Sequence, residues 1–186
     1  MDPYETYEVN GKTVKIYPDL DNGDNPRDWE NLGHMVCWHR RRKLGDEQIK
    51  PGEFGATIEE AGEYLTRERK ALVVLPVYIY EHGGITITSR AEVYATYPDK
   101  QWDAGQVGFI YVDADAILKE YGVSEVTDEL KEQAAALLAG EVDTYNMYLT
   151  GDVWIYVIED EDGEVLESCG GNYGLEYAKK EAEAAA

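Results

Sequence analysis

The sequence has no long hydrophobic run, only two cysteines and only three histidines. Without a run of about 18 apolar residues, a membrane-spanning helix of the usual kind is not expected. The acidic N-terminal stretch MDPYETYEVNGK has no apolar core, so we expect no signal peptide. Cys37 and Cys169 lie far apart in the sequence, and the simplest interpretation is that both are reduced and buried. These features predict a cytoplasmic protein.

The short motifs of common catalytic sites are also missing from the sequence. G-x-S-x-G, H-E-x-x-H and the phosphate-binding P-loop do not occur. The segment GQVGF has two glycines three residues apart, but it precedes a strand pattern and not a helix. We therefore predict no catalytic residue and no cofactor, and an enzyme is the less favoured interpretation.

Two weak metal patterns remain. Asp19, Asp21 and Glu30 fit three positions of a calcium loop, but Asp24 stands where the sharp turn requires glycine. A loose cation site made of Asp19, Asp21 and Asp24 remains an alternative, but we favour the interpretation that these residues form a solvated turn. A second pattern is a candidate Cys₂His₂ zinc site made of Cys37, His39, His82 and Cys169. Its spacing is not diagnostic of zinc, and we favour the interpretation that these are packing residues.

Cationic side chains are scarce compared with acidic ones. The chain has 17 Lys+Arg against 38 Asp+Glu, a net charge of −21, and residues 71–186 alone carry a net charge of −17. Such a protein repels nucleic acid and anionic membranes, and it attracts basic surfaces of the kind that hold DNA or RNA. The alternative is that the acidity only maintains solubility.

The only cationic cluster is HRRRK at 39–43, within the dense segment NPRDWENLGHMVCWHRRRKLGDE at 25–47. We expect its arginines to bind carboxylates of the protein itself or of a partner, in preference to phosphates. We predict that residues 25–47 form a packed corner. In that prediction Trp29, Cys37 and Trp38 point inward, and Arg40, Arg41 and Arg42 lie at the surface.

Strand patterns come in pairs with tight turns, and helix patterns lie between the pairs. This predicts an α+β fold with a mainly antiparallel sheet built from hairpins and two to four helices packed on it. Asn10-Gly11 and Asp162-Gly163 mark hairpin turns, and Thr57 with Glu60 forms a capping box. The clearest helix covers 127–149. We expect one globular domain over 1–175 and a frayed helical tail over 176–186.

Four stretches together resemble a family of small acidic proteins encoded by bacteriophages, prophages and mobile elements. They are NPRDWENLGHMVCWHRRRKLGDE, YEHGGITIT, WDAGQVGFIYV and YLTGDVWIYVIEDEDGEVLESCGG. The resemblance covers most of residues 15–175, although WENLGHM and WHRRRK depart from the family's WDNLGTM and FHRRYN. No established activity comes with this family, so it implies context only: an accessory protein that acts inside a bacterial host cell.

Acidity and phage context together predict an anti-defence protein, of the anti-CRISPR or anti-restriction type. It would bind a basic, nucleic-acid-binding host protein or complex, with no direct contact to nucleic acid or membrane. Two alternatives stay open: a metal-dependent or nucleic-acid-processing enzyme that uses residues 19–47, and a structural or regulatory phage protein. A homodimer also stays open. The predicted partner-binding acids are Asp128, Glu129, Glu132, Glu141 and Asp143 on the long helix, and Glu159, Asp160, Glu161, Asp162 and Glu164 on the last hairpin.

Overall fold

The computed structural model describes residues 1–21 and 23–186. The described chain contains six α-helices and nine β-strands, which confirms the predicted α+β class. In chain order the strands are β1 (Glu5–Val9), β2 (Lys12–Pro18), β3 (His34–Cys37), β4 (Glu47–Gln48), β5 (Ala71–Glu81), β6 (Ile85–Thr88), β7 (Ala104–Asp113), β8 (Val153–Glu159) and β9 (Val165–Tyr173). The helices are α1 (Ile58–Glu68), α2 (Ala91–Thr96), α3 (Lys100–Asp103), α4 (Ala114–Tyr121), α5 (Asp128–Thr150) and α6 (Leu175–Ala185).

Contacts divide the chain into two compact units, each built around its own sheet. Unit 1 comprises Met1–Pro26 and Thr144–Ala186, and unit 2 comprises Arg27–Asp143. The boundary falls inside α5. The nine strands thus form two sheets where the sequence pattern predicted one, and α2 and α3 lie in a segment for which no helix was predicted.

Unit 1 holds a four-stranded antiparallel sheet in the order β1-β2-β8-β9. Asn10 and Gly11 connect β1 to β2 with positive φ angles of 51° and 80°, as the predicted two-residue turn requires. Ala182 packs in one buried cluster with Ile16 and Ile158 of the sheet. The C-terminal helix therefore has a buried face, with Ala178 and Ala182 fully covered, instead of forming the loosely attached tail that we expected.

Unit 2 holds a five-stranded sheet in the order β4-β3-β7-β5-β6, in which only the short β3–β4 pair is parallel. Its central strand β7 is buried from Val107 to Val112. The predicted capping box of α1 is present, with Thr57 and Glu60 each bonded to the other's backbone. Pro76 lies where β5 pairs with β7 alone, since β6 covers only residues 78–81; an edge of this kind accommodates the missing N–H of proline.

The long helix α5 matches the predicted range to within one residue at each end. Its buried positions are Ala134, Leu138, Ala139, Val142 and Tyr145. Leu137, one residue before buried Leu138, is 40% exposed. None of the helices in the described part of the chain is long and apolar enough to cross a membrane.

Candidate functional site

The negative charge of the protein is concentrated in unit 1. Unit 1 contains 16 acidic and four cationic side chains, a net charge of −12, whereas the larger unit 2 contains 22 and 13, a net charge of −9. Because the acids of unit 1 outnumber its cations four to one, most of them cannot form ion pairs within the unit.

Three of the four cations of unit 1 are already engaged. Lys15 contacts both carboxylate oxygens of Glu159 at 2.7 Å, and Lys179 pairs with Glu5 at 2.6 Å. Lys12 donates to the backbone carbonyl of Ala186 at 2.6 Å. The engaged cations therefore neutralise only two carboxylates, and the other acids of the unit retain their charge.

The turn between β8 and β9 separates the predicted hairpin acids into two groups. Oδ1 of Asp160 accepts hydrogen bonds from the backbone N–H groups of Asp162 and Glu164, at 3.0 and 2.9 Å. Asp160 thus holds the turn in shape, and Glu159, through its contact with Lys15, connects β8 to β2. The side chains of Glu161, Asp162 and Glu164 are exposed, and they make no hydrogen bond or ion pair within the described chain.

The β8–β9 turn and the end of α6 lie at the same end of the unit 1 sheet. In the strand register Thr13 pairs with Glu159, directly before this turn, and neighbouring Lys12 contacts Ala186. Burial, and after it the nearby carboxylate of Glu183, raises the pKa of Tyr7 on β1. The three exposed acids of the turn and Glu183 of α6 therefore lie at one end of the sheet. We call this group the acidic end; its members are Glu161, Asp162, Glu164 and Glu183.

Glu183 was not among the predicted partner-binding acids because the tail containing it was treated as frayed. Alanines at 178, 182 and 185 follow the spacing of a helix stripe. That pattern was the available signal that this helix packs and holds its acids in place.

The predicted acids of α5 also divide into exposed and engaged residues. Asp128 and Glu129 lie in the first turn and Glu132 in the second, and all three are exposed. A hydrogen bond from Lys131 lowers the pKa of Asp128, and one from Thr127 lowers the pKa of Glu129. Acids at a helix N-terminus also stabilise the helix, so Asp128 and Glu129 have a structural role beside any role in binding.

The other two predicted acids of α5 contact arginines of unit 2. Asp143 pairs with Arg90 at 2.7 Å. Glu141 contacts the buried guanidinium of Arg27 at 3.0 Å and also accepts from the backbone N–H groups of Leu32 and Gly33. Glu141, with 9% of its side chain exposed, is therefore a structural residue, and we remove it from the candidate surface.

Residues 25–47 form the packed corner only in part as predicted. Burial and the nearby Asp46 carboxylate raise the pKa of the Cys37 thiol to about 12, and Trp38 packs against the core cluster around Phe109. Trp29, in contrast, is 46% exposed and does not point inward as predicted. Arg27, two residues earlier in the chain, is the buried side chain at this end of the segment.

The cationic loop, residues 39–43, carries Arg40, Arg41 and Arg42 at the surface as predicted, but most of its cations have no acidic partner among the described residues. Arg41 contacts Glu81 at 3.3 Å. The side chains of Arg40, Arg42 and Lys43 make no ion pair or hydrogen bond within the described residues. Within the described residues, Arg41 is the arginine of this loop that binds one of the protein's own carboxylates, and binding of the others to a partner's carboxylates stays a prediction.

The weak metal patterns do not converge on a site. Asp19 accepts a hydrogen bond from the backbone N–H of Gly171 at 2.9 Å, and the backbone carbonyl of Asp24 accepts one from Tyr173. Asn22, which lies within the predicted calcium pattern, is outside the described residues. Across residues 1–21 and 23–186, no three His, Cys, Asp or Glu side chains are grouped so that they could hold a metal ion.

Comparison with known proteins identifies no relative: no family model, no curated protein and no solved structure matches the chain.

Proposed function

We propose that this protein is an anti-defence inhibitor of phage or mobile-element origin, which binds a basic, nucleic-acid-binding host protein or complex through the acidic end of unit 1. The carboxylates of the acidic end would occupy positions that phosphates of DNA or RNA take on the target. Lysines and arginines of the target that normally bind a phosphate backbone, and so displace its condensed counterions, would then pair with the carboxylates of this protein instead.

The observation that carries the proposal is the uncompensated charge of unit 1. Its four cations cannot neutralise 16 acids, and three of those cations are committed to contacts inside the unit. Like charges held together on a folded surface repel one another, so keeping them there opposes folding. A basic partner removes that repulsion, which gives the surface a use in binding.

A plaque assay tests the function directly. Bacterial strains that each carry one restriction or CRISPR system would express the protein and be infected with a phage which that system normally blocks. We expect plaque numbers to rise in at least one strain. The acidic-end variant, with Glu161→Gln, Asp162→Asn, Glu164→Gln and Glu183→Gln, should lose this effect.

A matched control separates this surface from total charge. The control variant neutralises four exposed acids of unit 2: Glu63→Gln, Glu92→Gln, Glu120→Gln and Glu125→Gln. Both variants change the net charge equally, so the control should protect the phage as the parent does. If both variants lost protection of the phage equally, the alternative that the acidity only maintains solubility would be favoured. If the parent protected the phage in none of the strains, the anti-defence proposal would be contradicted.

A further inference from the structure

A cleft in unit 2 combines features that the proposed inhibitor surface does not use. Its volume is about 620 Å³, and it is lined by residues of the cationic loop, of β5, of α3 and of the start of β7. Ligand pockets in proteins typically span roughly 300–1,000 Å³. The size therefore suits a small molecule.

The backbone of the cationic loop is fixed by hydrogen bonds to the first residue of the loop, His39. Nδ1 of His39 accepts from the backbone N–H groups of Arg41 and Arg42, at 3.4 and 3.0 Å. Since Nδ1 accepts, Nε2 carries the ring proton and donates it to Glu81 at 3.1 Å. Burial opposes ionisation of Glu81, but the bonds from His39 and Arg41 outweigh it and lower the pKa of this carboxyl group. The loop is thus fixed by its backbone, and its cationic side chains remain available.

The available cations are unusual in so acidic a protein. With 38 acidic side chains in the chain, Arg40 still has no carboxylate partner among the described residues, and Arg41 pairs with Glu81 while 77% of its side chain stays exposed. Both arginines line the cleft. A guanidinium presents a fork of N–H donors that matches phosphate oxygens, so this wall of the cleft fits a phosphate group.

Another wall of the cleft offers an aromatic surface. Trp102 on α3 is 81% exposed, although a tryptophan side chain loses favourable burial energy when it faces water. The carboxylate of its neighbour Asp103 accepts a hydrogen bond from Nδ1 of His82 at 3.1 Å, and Gln106 adds an amide to the lining of the cleft. An open indole beside hydrogen-bonding groups is a stacking platform for a heterocyclic base.

We propose that this cleft binds a nucleoside phosphate, with the base stacked on Trp102 and the phosphates on Arg40 and Arg41. A mononucleotide fits better than a nucleic-acid strand, because a net charge of −21 repels a ligand in proportion to the ligand's own negative charge. The site lies wholly in unit 2 and does not depend on the acidic end.

Titration calorimetry with ATP, GTP, AMP and inorganic tripolyphosphate tests the site. We expect at least one nucleotide to bind more tightly than tripolyphosphate, since only a nucleotide can use Trp102. Trp102→Ala should weaken that binding by about tenfold or more, in line with the loss of a base–aromatic stack. Arg40→Gln should weaken nucleotide and tripolyphosphate alike and reduce the dependence of affinity on salt.

Two control variants keep the result specific. Arg67→Gln removes an exposed arginine that is paired with Glu68, and Tyr177→Ala removes an exposed aromatic ring of unit 1; both should bind nucleotide as the parent does. Circular dichroism would establish that every variant is folded. Three results would overturn the proposal: no nucleotide binding at millimolar concentration, equal affinity for tripolyphosphate, or tighter binding of a single-stranded oligonucleotide than of the matching mononucleotide.

Discussion

Arg27 and Glu141, 114 positions apart in the sequence, form a buried ion pair with an N–O distance of 3.0 Å. Arg27 also contacts both carboxylate oxygens of Asp46, at 2.9 and 2.6 Å, and donates to the carbonyl of Gly33 at 2.7 Å. Every member of this network is therefore satisfied by at least one other, as a buried polar group requires. The network joins both ends of the 27–46 segment to α5.

Removing Arg27 should destabilise the protein strongly. Arg27→Met would leave the carboxylates of Asp46 and Glu141 without their counterion, and breaking a buried pair in this way costs about 3–5 kcal/mol. Glu141→Gln should cost less, about 1.5–3 kcal/mol, because its amide oxygen can still accept one of the hydrogen bonds. Urea denaturation followed by circular dichroism measures both. The control Asp143→Asn breaks an exposed pair on the same helix and should cost at most about 1 kcal/mol; a Glu141→Gln effect no larger than that would contradict a structural role for Glu141.

Asp160 should stabilise the β8–β9 hairpin, whereas the side chains of Glu161, Asp162 and Glu164 make no contact that would do so within the described chain. Asp160→Ala removes two hydrogen bonds to the backbone of the turn, and each contributes about 0.5–1.5 kcal/mol. Asp160→Asn keeps an acceptor oxygen and should lie close to the parent. The urea midpoints of these variants can be compared with that of Glu161→Gln, which should be unchanged or slightly raised. If Asp160→Ala matched Glu161→Gln, the turn contacts would have no role in stability.

The two cysteines should differ sharply in reactivity. Cys169 is exposed, which corrects our expectation that both cysteines are buried. Cys37 is buried and its pKa is raised to about 12, so its reactive thiolate is scarce at neutral pH. Iodoacetamide at pH 8 should modify one cysteine per folded chain and two in urea. Cys169→Ser should remove the modification of the folded protein, and rapid labelling of this variant would show that Cys37 is accessible.

The same thiol should make stability fall at alkaline pH. An unfolded chain begins to lose the thiol proton near pH 8.5, but the folded chain keeps it until about pH 12. Between these values the unfolded state binds fewer protons, so the free energy of unfolding decreases as pH rises, by up to about 1.4 kcal/mol per pH unit for one proton. The Cys37→Ala variant should lose less stability than the parent between pH 9 and pH 11; equal losses would contradict the assignment.

The sequence predicted the elements whose signals are local. The Asn10-Gly11 turn and the capping box of Thr57 and Glu60 were both found, because backbone conformation at these positions is set by neighbouring residues. The alternating strands could be placed, but their distribution over two sheets could not. Sheet membership depends on which strands pair over long sequence separations, as β2 does with β8, and no local pattern records that.

The candidate surface was harder to predict for the same reason. Glu141 has an ordinary sequence context, and only the fold reveals that Arg27 covers it. Arg40 and Arg41 look alike in the sequence, yet only Arg41 reaches Glu81. The sequence analysis did not single out Trp102, because α3 has only four residues and so shows no helical periodicity. Composition fixed the charge of the chain, but folding decides which charges remain unpaired.

The most direct test of the acidic end is a capture experiment that includes DNA as a competitor. The parent, the acidic-end variant and the four-residue control variant of unit 2 would be immobilised and exposed to nuclease-treated bacterial lysate, with quantitative mass spectrometry of the retained proteins. We predict that the parent and the control retain the same nucleic-acid-binding protein, that duplex DNA or high salt displaces it, and that the acidic-end variant does not retain it. Equal retention by all three proteins, or retention that neither DNA nor salt reduces, would contradict binding through the acidic end.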